Sequence, residues 1–444
     1  MESTGDGHAA QTGRPITVRS CQVDAPPIRD LLSAVDRPRL VWRTHAEQIV
    51  AGGAAATITV DGSDRFRSVQ QEASALLANV SIEATSAARP RLYGGFAFTD
   101  THTDPGGETT WAGYPGGRFV LPAVQVAETK SGAWLTTAAT GPDAKQRAET
   151  RLANWRERVS DLPDSEPSGP PRVTDKTYAP PRADWQREIQ EATARIEEGH
   201  LRKVVLAQAL TASLAEPITP ADVLVRLGAS YPDCFQFLFD PATGGAFFGA
   251  TPERLVSVDG QTIETEALAG SIGRGETAEE DEWLASRLRE SDKNSHEHEV
   301  VVETIHEQLA PFTSDITTGA RQIRKLANVQ HLQTPIRATL DEEYHVLELV
   351  EALHPTPAVG GLPPERALET IRETEVFDRG WYAAPVGWLD GEGNGTFAVA
   401  IRSAVARDRQ ATLFAGAGIV ADSDPDEEYD ELQLKYRPIL DELA

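Results

Sequence analysis

Alternating apolar and polar positions mark the first part of the chain as rich in strands. "RLVWRT" (39–44), "ATITVDG" (56–62) and "RFVLPAVQVAE" (118–128) read as strands, while 66–80 and 144–159 carry helical periodicity. "SDLPDSEPSGPPRVTDKTYAPPRADW", 160–185, has six prolines and no apolar periodicity, and it reads as a linker. Beyond it, Trp185, Ile189, Ala192 and Ile196 recur at helical spacing in "ADWQREIQEATARIEEGH". "KVVLAQALTASL", "CFQFLFD", "GAFFGATPERLVSV" and "TIETEALAGS" then read as strands. A helical stretch at 277–310 is broken near Ser291. "APVGWLD", "GTFAVAIRSAV" and "ATLFAGAGIV" add further strands, and a helix runs from about 426 to the end. Turn signals such as Asp390-Gly391 and Glu392-Gly393-Asn394-Gly395 join neighbouring strands. The pattern predicts an α+β fold of antiparallel sheet with helices packed outside, not a βαβ repeat.

Composition narrows the function. Hydrophobic content is 40% over 444 residues, enough for a large core, and no apolar run is long enough for a membrane helix. The start "MESTGDGHAAQTGRP" lacks the basic and apolar regions of a secretory leader, so a cytoplasmic protein is expected. The net charge of −26, with acids scattered along the chain, reads as the solvated surface of a halophilic protein. No basic stripe is present, which argues against nucleic acid as a partner. Cys21 and Cys234 are too few for a disulfide framework or a cysteine-based zinc site.

Four stretches carry candidate chemistry. Lys203 lies in an apolar strand of a chain with only seven lysines, and burial would disfavour its charge and make it a usable base; a strand-end lysine reaching solvent is the plain alternative. Glu253 follows a Thr-Pro bend between apolar strands, where a carboxylic acid can hold its proton and act as a general acid; a glutamate on a surface turn is the plain alternative. In "ESDKNSHEHEVVVETI", His296 and His298 are about 200° apart on a helix and cannot chelate one ion together. Glu297 between them faces a half-apolar side, which suits a hard cation bound by oxygen. Glu428 and Glu431 share one face of the last helix with Lys435 one turn beyond, a spacing that surface helices also produce. "FAGAGIV" and "LAGSIGRG" could bring backbone N–H groups close to an anion.

Together the segments resemble the chorismate-utilising enzymes, the anthranilate, aminodeoxychorismate, isochorismate and salicylate synthases. The resemblance spans roughly 184–442 and rests on "KVVLAQ", "FFGATPERL", "EALAGSIGRG", "SDKNSHEHEVVVETI", "VQHLQTPI", "LHPTPAVGGLP", "FDRGWYAAPVGW", "FAVAIRSA" and "FAGAGIVADSDPDEEYDELQLKY". "RLYGGFAF" at 91–98 looks like the N-terminal half of menaquinone-type isochorismate synthases. The family fold is one large α+β domain with stacked antiparallel sheets. It implies that 1–160 is a variable half of the same compact domain, 160–183 a proline-rich excursion and 184–442 the catalytic region.

The resemblance also implies roles. Lys203 matches the base that activates water for attack at C2 of the chorismate ring, and Glu253 the acid that protonates the departing C4 hydroxyl. Glu297 and Glu431 match carboxylates that hold Mg²⁺, with Glu428 in support. Tyr382, Arg402, Gly416 and Lys435 match positions that hold the substrate's carboxylates; Gly270, Ser271, His331 and Ala358 match the walls around the ring. Asn294, where the family often has an acid, and Gln208, where it usually has arginine, depart from the pattern. Ammonia-using members lack a lysine at position 203, so water is the expected nucleophile and no glutaminase subunit is expected. The aminodeoxychorismate type often carries a lysine in the segment "ALAGS", and salicylate-type members tend to have threonine where Ala358 stands. The expectation is a monomeric isochorismate synthase serving menaquinone, with a salicylate synthase or a siderophore-pathway enzyme as the alternative. Two readings from other classes stand beside it: a zinc hydrolase using His296, Glu297 and His298, and a catalytically silent scaffold.

Overall fold

The computed structural model describes residues 16–78, 80–83 and 88–444, so the N-terminal segment whose sequence lacks a leader pattern lies outside the described residues. Twenty-one strands are present among the described residues, all paired antiparallel except Ile16–Val23 with Val80–Glu83. Fifteen of them form two runs that share one strand, Gly117–Thr129. The first run passes from Val173–Ala179 through Lys203–Leu214, Gln410–Ile419, Ser403–Arg407, Ala246–Thr251, Phe235–Asp240, Arg39–Arg43 and Glu47–Val60 to the shared strand. The second passes from Val329–Leu340 through Thr262–Gly273, Arg254–Asp259, Gly395–Val399, Pro385–Asp390 and Arg91–Phe96 to the same strand. Strands from before residue 160 therefore pair directly with strands from after 184 in both runs.

Burial follows the sequence pattern where the pattern is legible. "AFFGAT" at Ala246–Thr251 is buried at every position, as a continuous apolar run in a covered sheet should be. Val329–Leu340 is buried throughout its first four residues and then alternates, with Pro335, Arg337 and Thr339 exposed. The helix Arg182–Glu197 buries Trp185, Ile189, Ala192 and Ile196, as its spacing requires, and packs on Pro425–Leu440. The break at Ser291 separates Ala278–Glu290 from Asp292–Leu309, and the Ser291 hydroxyl accepts the Asn294 N–H at 3.2 Å as the cap of the second helix.

Two expectations need correction. The stretch read as a linker contains the strand Val173–Ala179, hydrogen-bonded along Lys203–Leu214. Four consecutive residues of this strand, Thr174–Thr177, are all exposed, so an edge position on a polar strand hid it from apolar periodicity. "GAFFGATPERLVSV" and "GTFAVAIRSAV" each divide into two strands that belong to different runs. The chain leaves the first run at Pro252-Glu253 and re-enters it at Ala400–Arg402. The crossovers lie side by side, with Ala250 N–H donating to Arg402 O at 3.1 Å and Val399 N–H donating to Glu253 O at 3.0 Å. They position much of the site described next.

Candidate active site

A cavity of about 450 Å³ lies between the ends of the two runs, under the helices Asp292–Leu309 and Pro425–Leu440. Every site residue expected from the sequence lines it: Lys203, Glu253, Gly270, Ser271, Glu297, His331, Ala358, Tyr382, Arg402, Gly416, Glu428, Glu431 and Lys435.

Lys203 opens the strand Lys203–Leu214 and is buried, so the reading of a lysine snorkelling to solvent does not hold. Its Nζ donates to Glu297 Oε1 at 2.5 Å. The neighbouring strand makes room at Gly418, where a Cβ would stand 3.0 Å from Lys203 Cε and 3.4 Å from Nζ. Burial raises the Glu297 pKa, and Lys203, with help from Lys435 and Lys293, more than reverses this and holds it below the ordinary carboxylate value.

Glu253 is buried at the first crossover, and the Thr356 hydroxyl lies 3.5 Å from Oε1. Burial, with Glu266 adding to it, pushes its pKa up to about 7, so the carboxyl retains a proton near neutrality. Arg402 occupies the second crossover with φ +52°, a conformation that costs a non-glycine residue about 1–2 kcal/mol. Its guanidinium is buried and makes no hydrogen bond or ion pair to another described residue. Such an arginine stays charged and is a ready carboxylate site. Burial pushes Tyr382 up to about 12, so its phenol remains a donor beside Gly416.

One wall is neutral. Burial and the surrounding cations Arg402, Lys435 and Arg324 lower His331 to about 3. Its Nδ1 shares a 2.8 Å hydrogen bond with Ser271 Oγ, and its Nε2 is buried without a partner among the described residues. Gly270 has φ +75°, and a Cβ there would stand 3.1 Å from Asn294 Oδ1; Asn294 itself donates to Ser291 Oγ.

The last helix supplies the remaining charges. Lys435 Nζ pairs with Glu431 at 2.6 Å and donates to Gly416 O at 2.7 Å. Glu428 accepts from Ser423 Oγ at 2.7 Å, and burial together with Glu431 pushes its pKa up to about 7. No group of three His, Cys, Asp or Glu side chains among the described residues converges to hold a metal unaided. The donor set nevertheless suits Mg²⁺, which takes one or two carboxylates and completes its shell with substrate oxygens and water. Glu297, Glu428 and Glu431 are oxygen donors on one cavity, and the crowding that lifts Glu428 is what a divalent cation would relieve.

The histidine pair resolves differently. His298 is buried, with Nε2 on Thr334 Oγ1 at 2.7 Å and Nδ1 facing Ala269 O at 3.3 Å, which pins its helix to two strands. His296 is exposed on another side, so the zinc reading loses both ligands. Gln208 also gains a role: Nε2 donates to Pro180 O at 2.8 Å, and Tyr436 Oη donates to Gln208 O at 2.7 Å, tying the last helix to the Lys203 strand.

Arg287, Lys293 and Arg379 line the cavity as well and were not singled out from the sequence. Lysine scarcity pointed to one of them, since Lys203, Lys293 and Lys435 are three of the chain's seven lysines. Arg379 gives no such signal; it is fully committed to Glu375, Val205 O and Val359 O. Against a chain charge of −26, the lining holds six basic and five acidic side chains. That balance suits an anionic ligand.

The family model described as "Chorismate binding enzyme" matches residues 13–444. This chain belongs to that family. It is 38% identical to the "Salicylate biosynthesis isochorismate synthase" of Pseudomonas aeruginosa, over 99% of this chain and 92% of that protein. It is 39% identical to "Isochorismate synthase MenF" of Bacillus subtilis, over 81% of this chain and 76% of that protein. The solved structure of MenF, the menaquinone-specific isochorismate synthase from Escherichia coli, superposes with a TM-score of 0.83 at 26% identity, covering 99% of this chain and 97% of that one. The fold is thus the α+β chorismate-binding fold expected from the motifs. No helix among the described residues is long and apolar enough to cross a membrane.

Proposed function

We propose that this chorismate-binding enzyme is an isochorismate synthase, an isomerase that moves a hydroxyl from C4 of the chorismate ring to C2. The observation that carries the proposal is the pairing of a buried lysine and a proton-retaining glutamate, Lys203 and Glu253, on one cavity that also presents a free buried arginine. In its neutral amine form Lys203 takes a proton from water as the oxygen bonds to C2. The ring double bond shifts, the C4–O bond breaks, and Glu253 gives its proton to the leaving hydroxyl. One water enters and one departs, so the product is an isomer. Lys203 acts from a position fixed by its strand ladder, while Glu253 acts from a crossover free of that ladder. Arg402 and the Tyr382 phenol receive carboxylate oxygens, and the neutral His331 with Ser271 borders the ring. Glu297, Glu431 and Glu428 would hold Mg²⁺, whose charge offsets that of a substrate carboxylate and draws electron density from the ring. Water as nucleophile removes any need for a glutaminase subunit.

Names of the relatives favour isochorismate as the product in both menaquinone and salicylate routes. We assign this chain to menaquinone supply on the strength of "RLYGGFAF". Incubation with chorismate and Mg²⁺, followed by chromatographic separation, tests the reading. Isochorismate alone is expected. Salicylate with pyruvate would assign the second elimination to this chain, and unchanged chorismate would refute the proposal.

A further inference from the structure

Glu266 was given no role by the sequence, yet it is bound to the backbone that carries the acid. It lies two residues before Leu268, which lines the cavity, on the strand Thr262–Gly273. Side chains two apart on a strand share a face, so Glu266 continues the cavity wall toward the crossover. Its carboxylate accepts the backbone N–H of Arg254 at 3.2 Å, and Arg254 is the residue directly after Glu253. Arg324 Nη1 donates to both oxygens, at 3.2 and 3.3 Å, and Gln333 Nε2 donates to Oε2. Every partner is a donor, the arrangement that an ionised carboxylate requires. Only 11% of the side chain is exposed, so this anion is held in place with little screening by solvent.

Glu253, by contrast, has only the distant Thr356 hydroxyl as a side-chain partner. Donors around a carboxylate favour its charge, and a fixed negative charge nearby opposes the ionisation of a second carboxyl. We propose that Glu266 is a positioning residue for the general acid: a fixed anion that keeps Glu253 in its acid form and anchors the crossover that aims it. The other charged or titratable groups facing Glu253 are Arg402 and Lys203, which favour its ionisation, and Tyr382, which is neutral. Arg254 and Arg324 are turned to Glu264 and Glu266 respectively. Glu266 is the foremost charged group raising Glu253, after burial itself.

This inference rests on the proposed role of Glu253, and its test separates the two. Glu266→Gln keeps the shape and an acceptor for the Arg254 N–H but removes the charge. The alkaline limb of kcat against pH, where the acid is lost, is expected to move down by about one unit, costing about tenfold at pH 8. Glu266→Asp retains the anion and is expected to keep the limb in place while lowering kcat at every pH. An unmoved limb in Glu266→Gln, with normal melting, would overturn the inference while leaving the enzyme assignment intact. A second measurement does not need turnover. The difference in melting temperature between the chain and its Glu253→Gln variant changes with pH at the point where Glu253 titrates. That point is expected to fall in the Glu266→Gln background, and the same midpoint in both backgrounds would overturn the inference even if chorismate is not turned over.

Discussion

Glu253→Gln should stabilise the protein and abolish its activity. The glutamate is buried, and its pKa stands at about 7 against an ordinary value of 4.5. A carboxyl with a raised folded pKa binds its proton more tightly in the native state. Its contribution is fully present below pH 4.5 and is lost as pH rises through about 7. At about 1.4 kcal/mol per unit, the cost of ionising it inside the fold is about 3 kcal/mol above neutrality. Glutamine has the same shape, can still accept from Thr356, and never ionises. The variant should therefore gain up to about 3 kcal/mol over the parent at pH 8 and nearly nothing at pH 4.5.

The kinetic cost has the opposite sign. Loss of a general acid lowers the rate by about 10²–10⁴, or roughly 3–5 kcal/mol in the barrier. Thermal melting of both proteins from pH 4.5 to 8, together with chorismate turnover, reads both effects on the same samples. A stability difference that does not change with pH would show that folding does not raise the pKa of Glu253. The acid assignment would then be wrong. Retained turnover would refute it directly.

Two other perturbations probe the frame around the site. His102 is buried with Nδ1 on Asp378 Oδ2 at 2.6 Å and Nε2 on Tyr114 O at 2.7 Å, two acceptors that only the cation can satisfy. Burial opposes that charge, but Asp378, the Tyr114 carbonyl and Asp61 outweigh it and raise the pKa above 6.5. Its stabilisation is complete below pH 6.5 and is lost as pH rises through the higher folded value, so His102→Gln should lower the melting temperature most at acidic pH; a penalty that grows toward alkaline pH would refute this. Gly418→Ala puts a methyl 3.0 Å from Lys203 Cε and should cut kcat by about tenfold to a hundredfold with melting little changed, and undiminished kcat would show that the base does not need its present position.

The fold class and the residues that line the candidate site were legible because their signals are local. Apolar alternation, the Ser291 break and the amphipathic helix after Pro181 all come from neighbouring residues, and the structure keeps them. The motif register placed thirteen residues on one cavity although they come from separate strands and helices. What escaped were facts about pairing. Val173–Ala179 looks like linker because one edge and most side chains are solvated, and only its partner Lys203–Leu214 makes it a strand. Arg379 and Glu266 have ordinary sequence surroundings; their roles appear only when Glu375 and the Arg254 N–H are brought against them. His298 shows the other side of this, since helical spacing already set it against chelating with His296, but its partner Thr334 at Nε2 appears only in the fold.

Lys203 and Glu253, the proposed base and acid, are held in different ways, and that difference follows from the topology. A strand in a covered sheet has its N–H and C=O groups in the ladder and its side chains packed. A polar group can be presented from such a strand only where the neighbour gives space, as Gly418 does for Lys203. A crossover between sheets leaves the ladder, so its side chains can turn into the gap between the runs, but the same break removes the bonds that would hold it still. Glu253 and Arg402 have this freedom, and their carbonyls accept instead from Val399 and Ala250, while Glu266 holds the N–H of Arg254, the residue after Glu253. The proposed base is thus fixed by regular structure and the proposed acid by a few specific contacts. Mutations that loosen the site without unfolding the protein should therefore gather around the acid, at Glu266, Arg324 and Thr356, and not along the strand that carries Lys203.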